Sequence, residues 1–207
     1  MFNGIIEHMG AVSSITVQDE GGARLVLDVG KLANRVKPGD SIALDGVCLT
    51  VVERKRSRLH LDISPETWRR TNFSFRKQGD KLNLELPISA SSAINGHLVQ
   101  GHVEDRARVF DWIRHGKDVR LVLELPAHLA EFCVPKGSIA VNGVSLTIAS
   151  MRQRKIQIAL IPYTLQLTNL SALKRGDVVN IETDLIGRYV VTTLKKEYHN
   201  LKPKSQH

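Results

Sequence analysis

Apolar and polar residues alternate over short runs along most of the chain. Leu59-His60-Leu61-Asp62-Ile63 and Leu82-Asn83-Leu84-Glu85-Leu86 carry the period-two pattern of half-buried strands, and Leu121-Val122-Leu123-Glu124-Leu125 is a mainly apolar equivalent. Turn signals punctuate these runs at Glu20-Gly21-Gly22, Pro38-Gly39-Asp40, Gln78-Gly79-Asp80 and Arg175-Gly176-Asp177, where glycine reaches positive φ without steric cost. Near the end the period changes. Val190, Leu194, Tyr198 and Leu201 recur at helical spacing around Lys195, Lys196 and Glu197, which predicts a helix of roughly 14 residues with one apolar stripe. Lys202-Pro203-Lys204-Ser205-Gln206-His207 reads as a frayed tail.

A repeat organises the pattern. Ser41-Ile42-Ala43-Leu44-Asp45-Gly46-Val47-Cys48-Leu49-Thr50 returns 97 positions later as Ser138-Ile139-Ala140-Val141-Asn142-Gly143-Val144-Ser145-Leu146-Thr147. The same displacement relates Gly4 to Gly101, Pro65-Glu66-Thr67 to Pro162-Tyr163-Thr164, Thr71-Asn72 to Thr168-Asn169, Gly79-Asp80 to Gly176-Asp177, and Asn83-Leu84-Glu85 to Asn180-Ile181-Glu182. One offset held over that distance predicts two homologous halves. About six short strands in each half predict a small closed barrel, because closure removes exposed sheet edges. The expected division is a first barrel over 1–90, a second over 97–186, and a helix with its tail over 187–207, with the small, uncharged stretch 87–96 as the linker. The final helix has no counterpart in the first half. It either packs on the second barrel or joins copies of the chain.

Composition narrows the class. With 42% hydrophobic and 24% charged residues the chain is neither disordered nor collagen-like, and no apolar run is long enough to cross a bilayer as a helix. The start, Met1-Phe2-Asn3-Gly4, lacks the basic and apolar regions of an export signal, so a cytosolic location is expected. Two cysteines, Cys48 and Cys133, suit a reducing compartment. The net charge of +8 and the clusters Arg54-Lys55-Arg56 and Arg152-Gln153-Arg154-Lys155 raise a nucleic-acid-binding barrel pair as one reading. Single-strand binders, however, need aromatic stacking platforms, and this chain has only 5 Phe, 3 Tyr and 2 Trp.

Strand alternation puts Cys48 and Thr50 on one face of the first half and Ser145 and Thr147 on the matching face of the second. Such residues serve equally as ordinary strand positions or as ligand contacts. Divergence within a copied motif, Cys48 against Ser145 and Asp45 against Asn142, favours two related pockets that treat one kind of molecule differently. His97 and His102, in Asn95-Gly96-His97-Leu98-Val99-Gln100-Gly101-His102-Val103-Glu104, fall on opposite faces if the segment is extended, and no third ligand follows at metal-binding spacing, so no metal is expected. Phosphate-binding loops, dinucleotide fingerprints and the hydrolase elbow are all missing from the sequence.

Taken together, Met1-Phe2-Asn3-Gly4-Ile5-Ile6, Asp45-Gly46-Val47-Cys48-Leu49-Thr50-Val51, Gly96-His97-Leu98-Val99-Gln100-Gly101-His102-Val103, Gly143-Val144-Ser145-Leu146-Thr147 and Leu160-Ile161-Pro162-Tyr163-Thr164-Leu165 resemble the signatures of the riboflavin synthase family over essentially the whole chain. The resemblance implies an all-β fold of two homologous six-stranded, Greek-key-like barrels, a C-terminal helix that assembles a homotrimer, and no metal or redox cofactor. The implied reaction is a dismutation in which two molecules of 6,7-dimethyl-8-ribityllumazine exchange a four-carbon unit, giving riboflavin and 5-amino-6-(D-ribitylamino)uracil. By motif position, one lumazine site is expected from Gly4, Ile5, Ile6, Gly101, His102, Val103, Ser145, Leu146, Thr147, Leu160, Ile161, Pro162, Tyr163, Thr164 and Leu165. The other is expected from Cys48, Leu49, Thr50, Asp62, Ile63, Ser64, Pro65, Glu66, Thr67 and Lys136. His102 with Thr147 is the first choice for moving a proton from the 7-methyl group, and Ser145, Cys48 or an activated water for addition to the second ring.

The sequence departs from the family pattern at Asn142, where the family has Asp, at Asn95, where it has Gly, and at Glu104, where it has Asp. An amide at Asn142 removes a carboxylate that could serve as a base, so a slower reaction with intact binding is expected. A non-catalytic lumazine or flavin carrier of the same fold is the alternative within the resemblance.

Overall fold

The computed structural model describes residues 1–19, 21–116 and 118–201. Strands β1 (His8–Val17), β2 (Ala23–Asp28), β3 (Ser41–Leu44), β4 (Val47–Lys55), β5 (Arg58–Ile63) and β6 (Lys81–Glu85) close into an antiparallel barrel in the order β1-β2-β5-β4-β3-β6. A second ring repeats that order with β7 (Asp105–His115), β8 (Asp118–Glu124), β9 (Ser138–Val141), β10 (Val144–Arg152), β11 (Lys155–Leu160) and β12 (Val178–Thr183). The short helices α1 (Pro65–Arg70) and α3 (Pro162–Leu167) follow β5 and β11 at equivalent places, α2 (Ala127–Ala130) lies in the second half, and α4 (Leu185–Leu201) ends the described chain.

Alternation produces the barrels. Along β5 and β11, Leu59, Leu61, Ile63 and Ile156, Ile158, Leu160 turn inward, and each ring fills with its own apolar cluster. The hairpins β3–β4 and β9–β10 turn through Asp45-Gly46 and Asn142-Gly143, all at positive φ, the geometry that two-residue hairpins favour. Gly46 and Gly143 also meet back to back: a Cβ on Gly46 would stand 2.7 Å from the Gly143 nitrogen, and one on Gly143 would stand 2.6 Å from the Gly46 nitrogen.

That contact lies on a local two-fold axis relating each residue to its copy 97 positions on. Phe2 and Val99 bridge each other with reciprocal N–H···O bonds of 2.8 and 3.1 Å, and Phe2, Val99, Ala43 and Ala140 form a third apolar cluster between the barrels. The polar positions of β6 and β12 face this junction. Leu82-Asn83-Leu84-Glu85 reads as a half-buried strand, yet all four residues are buried, because the second barrel covers the face that alternation assigns to water. Asn83 and Asn180 donate to the carbonyls of Asn142 and Asp45, each at 2.9 Å, while their own side-chain oxygens accept the N–H groups of Asn169 (2.8 Å) and Asn72 (2.7 Å). These reciprocal bonds satisfy polar groups that burial would otherwise penalise.

Asn142 belongs to this junction and is fully buried, with its Oδ1 accepting from Asn180 N–H at 2.8 Å and Asn72 Nδ2 at 3.1 Å. The expectation that it acts as a missing base is therefore corrected: its side chain sits between the barrels, away from the outer strand face that carries Ser145 and Thr147.

Helix α4 runs for 17 residues and starts earlier than the apolar stripe suggests, because the Asp184 carboxylate accepts the Ile186 N–H at 2.9 Å and caps its first turn. Lys195 ion-pairs with Glu131 of the second half. Ile186, Tyr189, Val190 and Leu194 are all more than half exposed, so within one chain the stripe is uncovered. The tail expected at Lys202–His207, and Glu20 of the first turn signal, lie outside the described residues.

Candidate functional site

Cys48 and Thr50 on β4, and Ser145 and Thr147 on β10, turn outward as alternation predicts, the first of each pair half-buried and the second exposed. The candidate sites are thus on the outer wall of each barrel, since the interiors are packed. Leu49, Ile63, Leu146 and Leu160, expected among the lining residues, put their side chains into the barrel cores. Only their backbones face the sites. Ser41 and Ser138, which motif position did not select, stand beside Thr50 and Thr147 in the strand register.

The segments that enter each barrel are exchanged. The Gly4 carbonyl accepts the N–H of Ser145 at 2.7 Å, and the Gly101 carbonyl accepts that of Cys48 at 2.8 Å. Ile6 packs on the second core and Val103 on the first. Gly4, Ile5 and Ile6 therefore adjoin the Ser145 site as expected, but Gly101, His102 and Val103 adjoin the Cys48 site, which corrects their expected grouping with Ser145. Glycine is required at both joints: a Cβ at Gly4 would lie 2.7 Å from Ser145 Cβ, and one at Gly101 2.6 Å from Cys48 Cβ.

Two buried carboxylates hold the exchanged segments. Glu85 Oε1 and Oε2 accept the N–H groups of Asn3 (2.6 Å) and Gly4 (2.9 Å), and Glu182 accepts those of Gln100 (2.7 Å), Gly101 (2.9 Å) and His102 (3.0 Å). Burial raises the Glu85 carboxyl to about 7 against those stabilising N–H bonds. Glu182 is also raised by burial, with Arg188 at 3.7 Å opposing the rise. The duplicated Asn-x-Glu of β6 and β12 was the available signal for this cradle, but the strand pattern alone does not reveal which face is covered.

Around Cys48 the wall is polar. Asp62 pairs with Arg24 at 2.8 Å, which holds its carboxyl below the usual range, and Glu66 ion-pairs with Arg69 and Arg70. Ser64 caps α1 by accepting the Thr67 N–H at 3.1 Å, with Pro65 in the first helical turn. Around Ser145 the equivalent positions are Ala159, Ile161 and Tyr163, followed by Pro162, Thr164 and Leu165 in α3. Ile161 and Tyr163 are both more than half exposed. The β5 side thus presents Asp62, Ser64 and Glu66 where the β11 side presents Ala159, Ile161 and Tyr163, while Arg120, paired with Asp118, stands opposite Ala159 in the register.

Three further placements matter. His102 is exposed and opens on a cavity of about 390 Å³ shared with Arg70, Glu104, His128 and Arg188; among the described residues it makes no hydrogen bond to Thr147, so the expected pair is not brought together within one chain. Lys136 lies in the second barrel, its N–H bonded to the Ile148 carbonyl at 2.7 Å, and not beside Cys48. It holds φ +69° where the first half has Gly39, an unfavourable conformation for a side-chain-bearing residue. His97, which was not among the expected site residues, places Nδ1 2.7 Å from Ser145 Oγ. The residue is 9% exposed, burial lowers its pKa, and its Nε2 is buried without a hydrogen-bond partner among the described residues. Sequence spacing carries no signal for a pair 48 residues apart.

Among the described residues no group of three or more His, Cys, Asp or Glu is arranged to hold a metal ion. A duplicated six-stranded barrel with matched outer-face sites and exchanged entry segments defines a class, and the profile of the Lumazine binding domain matches residues 3–87 and 100–184. Riboflavin synthase of Bacillus subtilis (strain 168) is 37% identical over 97% of this chain and 93% of its own, and that of Photobacterium leiognathi is 36% identical over 94% and 89%. The crystal structure of LumP complexed with riboflavin superposes with a TM-score of 0.83 at 26% identity, covering 88% of this chain and 99% of that one. With two domain matches and relatives this similar over nearly their whole length, the chain belongs to the riboflavin synthase family.

Proposed function

We propose that the protein converts two molecules of 6,7-dimethyl-8-ribityllumazine into riboflavin and 5-amino-6-(D-ribitylamino)uracil, without a metal or redox cofactor. The observation that carries this reading is the pair of equivalent outer-face sites, Cys48–Thr50 and Ser145–Thr147, on barrels whose flanking groups differ in polarity. A reaction between two copies of one molecule needs two related pockets, and holding both rings in register replaces a chance encounter by an intramolecular step. One lumazine loses a proton from its 7-methyl group, and the resulting carbanion attacks the other ring after an oxygen or sulfur nucleophile has added to it.

The uncovered stripe of α4 supports a homotrimer in which the Cys48 site of one subunit faces the Ser145 site of its neighbour. In that arrangement His102, on the Cys48 side, meets Thr147 from another chain, and Lys136 reaches the neighbour's first site. The site members are accordingly Gly4–Ile6, Cys48–Thr50, Asp62–Thr67, Gly101–Val103, Lys136, Ser145–Thr147 and Leu160–Leu165, with the core-facing leucines and Ile63 contributing backbone only. A cytosolic location completes the proposal.

A carrier is the second reading, favoured by the LumP structures complexed with riboflavin and with 6,7-dimethyl-8-(1'-D-ribityl) lumazine. Incubating purified protein with 6,7-dimethyl-8-ribityllumazine and separating products by chromatography distinguishes the two. Riboflavin formation supports the enzyme, whereas saturable binding with no product supports the carrier. Nucleic-acid binding draws little support from the basic clusters, since Arg54 donates to the Ala33 carbonyl, Lys55 pairs with Glu53, Arg154 pairs with Glu124, and Lys155 covers the Phe110 ring.

A further inference from the structure

A cavity of about 600 Å³ lies across the local two-fold axis, between the short turns Asn72–Phe75 and Asn169–Ala172. Both halves line it at positions 97 apart, and none of the lining residues belongs to either lumazine wall. The two sides of the lining are unequal. Phe75, Arg76 and Lys81 stand on one side where Ala172, Leu173 and Val178 stand on the other, so one wall carries an aromatic ring and two cations and its copy carries only small or aliphatic groups.

A fourth difference falls on the same wall. Asn169 Oδ1 accepts from Asn83 Nδ2 at 3.0 Å and from Asn142 Nδ2 at 3.4 Å, whereas Asn72 Oδ1, in a residue only 1% exposed, has no hydrogen-bond partner among the described residues. The reason is chemical: the copy of Asn142 is Asp45, whose carboxylate has no N–H to give. A buried amide oxygen left in this way fits an N–H donor supplied from the cavity. Phe75 is 61% exposed, with the Arg106 guanidinium 5.4 Å from its ring centroid, and offers a stacking surface. The backbone N–H groups of Lys77 and Lys174 close turns on Asp80 and Asp177 at 3.1 and 2.8 Å, while their ammonium groups make no ion pair among the described residues. With Lys81 the lining holds three ammonium groups beside those two carboxylates, and the Arg76 charge is matched by Asp45.

We infer that this cavity binds a phosphorylated planar heteroaromatic molecule, a nucleoside phosphate or a flavin phosphate. The ring stacks on Phe75, a ring N–H donates to Asn72 Oδ1, and the phosphate lies among Lys77, Lys81 and Lys174. The inference is independent of the dismutase reading, because the site is outside both lumazine walls. Ligand cavities commonly measure about 300–1,000 Å³, so one such molecule fits. It would touch both barrels, so its binding should raise the melting temperature, and added salt should weaken the contact with the lysines.

The test is calorimetric titration of the full chain with GMP, AMP and FMN, and with guanosine and inorganic phosphate as separate pieces of the ligand. At least one of the three phosphorylated rings is expected to saturate a single site per chain with Kd below about 1 mM, and guanosine and inorganic phosphate to bind at least tenfold more weakly. Phe75→Ala and Lys81→Val each install the residue that the second half carries. Each is expected to weaken binding about tenfold while the ligand-free melting temperature stays at the wild-type value. Tighter binding of GMP or AMP assigns a nucleotide ligand, and tighter FMN binding that both substitutions weaken assigns a flavin one. No saturation by any of the three, unchanged affinity in either variant, or inorganic phosphate bound as tightly as the phosphorylated rings would overturn the proposal. FMN affinity that neither substitution alters belongs to the lumazine walls and, without GMP or AMP binding, overturns it equally.

Discussion

Asp45 and Arg76 form an ion pair of 2.7 Å in which the carboxylate is fully buried, and 97 positions on the same places hold Asn142 and Leu173, which carry no charge. The two halves thus differ at both positions together, since the cation that neutralises Asp45 has no equivalent beside Asn142. Leaving either member alone strands a buried charge. Arg76→Leu is expected to lower unfolding free energy by about 3 kcal/mol, and adding Asp45→Asn to it should recover most of that loss. Asn142→Asp should destabilise the protein without accelerating it. Denaturant midpoints and kcat measured on the same preparations check this; a faster Asn142→Asp enzyme of unchanged stability contradicts it.

The Glu85 cradle predicts a pH dependence of stability. Because the folded carboxyl titrates near 7 and its ordinary value is 4.5, the folded state holds a proton that the unfolded state releases between those values. Stability therefore falls as pH rises from about 4.5 to about 7. Glu182 is shifted in the same direction and adds to the fall. Glu85→Gln should flatten the thermal-stability profile over that window, leaving the Glu182 contribution. Parallel profiles for wild type and variant would show that the carboxyl is not responsible.

Lys136 occupies a position where its counterpart is Gly39 and holds φ +69°. That conformation costs a non-glycine residue about 1 kcal/mol, and the strain is explained if the ammonium serves the reaction. Lys136→Gly is expected to melt at the same or a higher temperature while losing at least tenfold in turnover. A loss of melting temperature with normal turnover would assign the lysine a purely structural part.

Helix α4 supplies the assembly prediction. Arg188 contacts Glu182 and Gln100 and belongs to the barrel cradle, so truncation should begin after it. Val190→Glu with Leu194→Glu places charges in the exposed stripe and should yield monomers by light scattering, with riboflavin formation nearly abolished. A fully active monomer contradicts the inter-subunit site.

Much of this architecture was legible in the sequence because duplication repeats every signal at one offset. The glycine turns, the inward Leu59, Leu61 and Ile63 of β5, and the outward faces of Cys48–Thr50 and Ser145–Thr147 follow from local steric and period-two rules. The junction was not legible. Asn83, Glu85, Asn180 and Glu182 look like solvent-facing strand positions, and only the docking of a second barrel buries them. The exchange of Gly4–Ile6 and Gly101–Val103 was hidden for the same reason: motif order records sequence neighbours, whereas these segments bond across the two-fold axis. The His97–Ser145 contact joins a loop to a strand, a relation no periodicity encodes.

The most direct measurement of the central claim is product stoichiometry. Purified protein supplied only with 6,7-dimethyl-8-ribityllumazine should consume two molecules for each riboflavin formed, with one 5-amino-6-(D-ribitylamino)uracil released alongside. Stable binding of the lumazine with no riboflavin after many hours, at protein concentrations that keep the assembly intact, would contradict it.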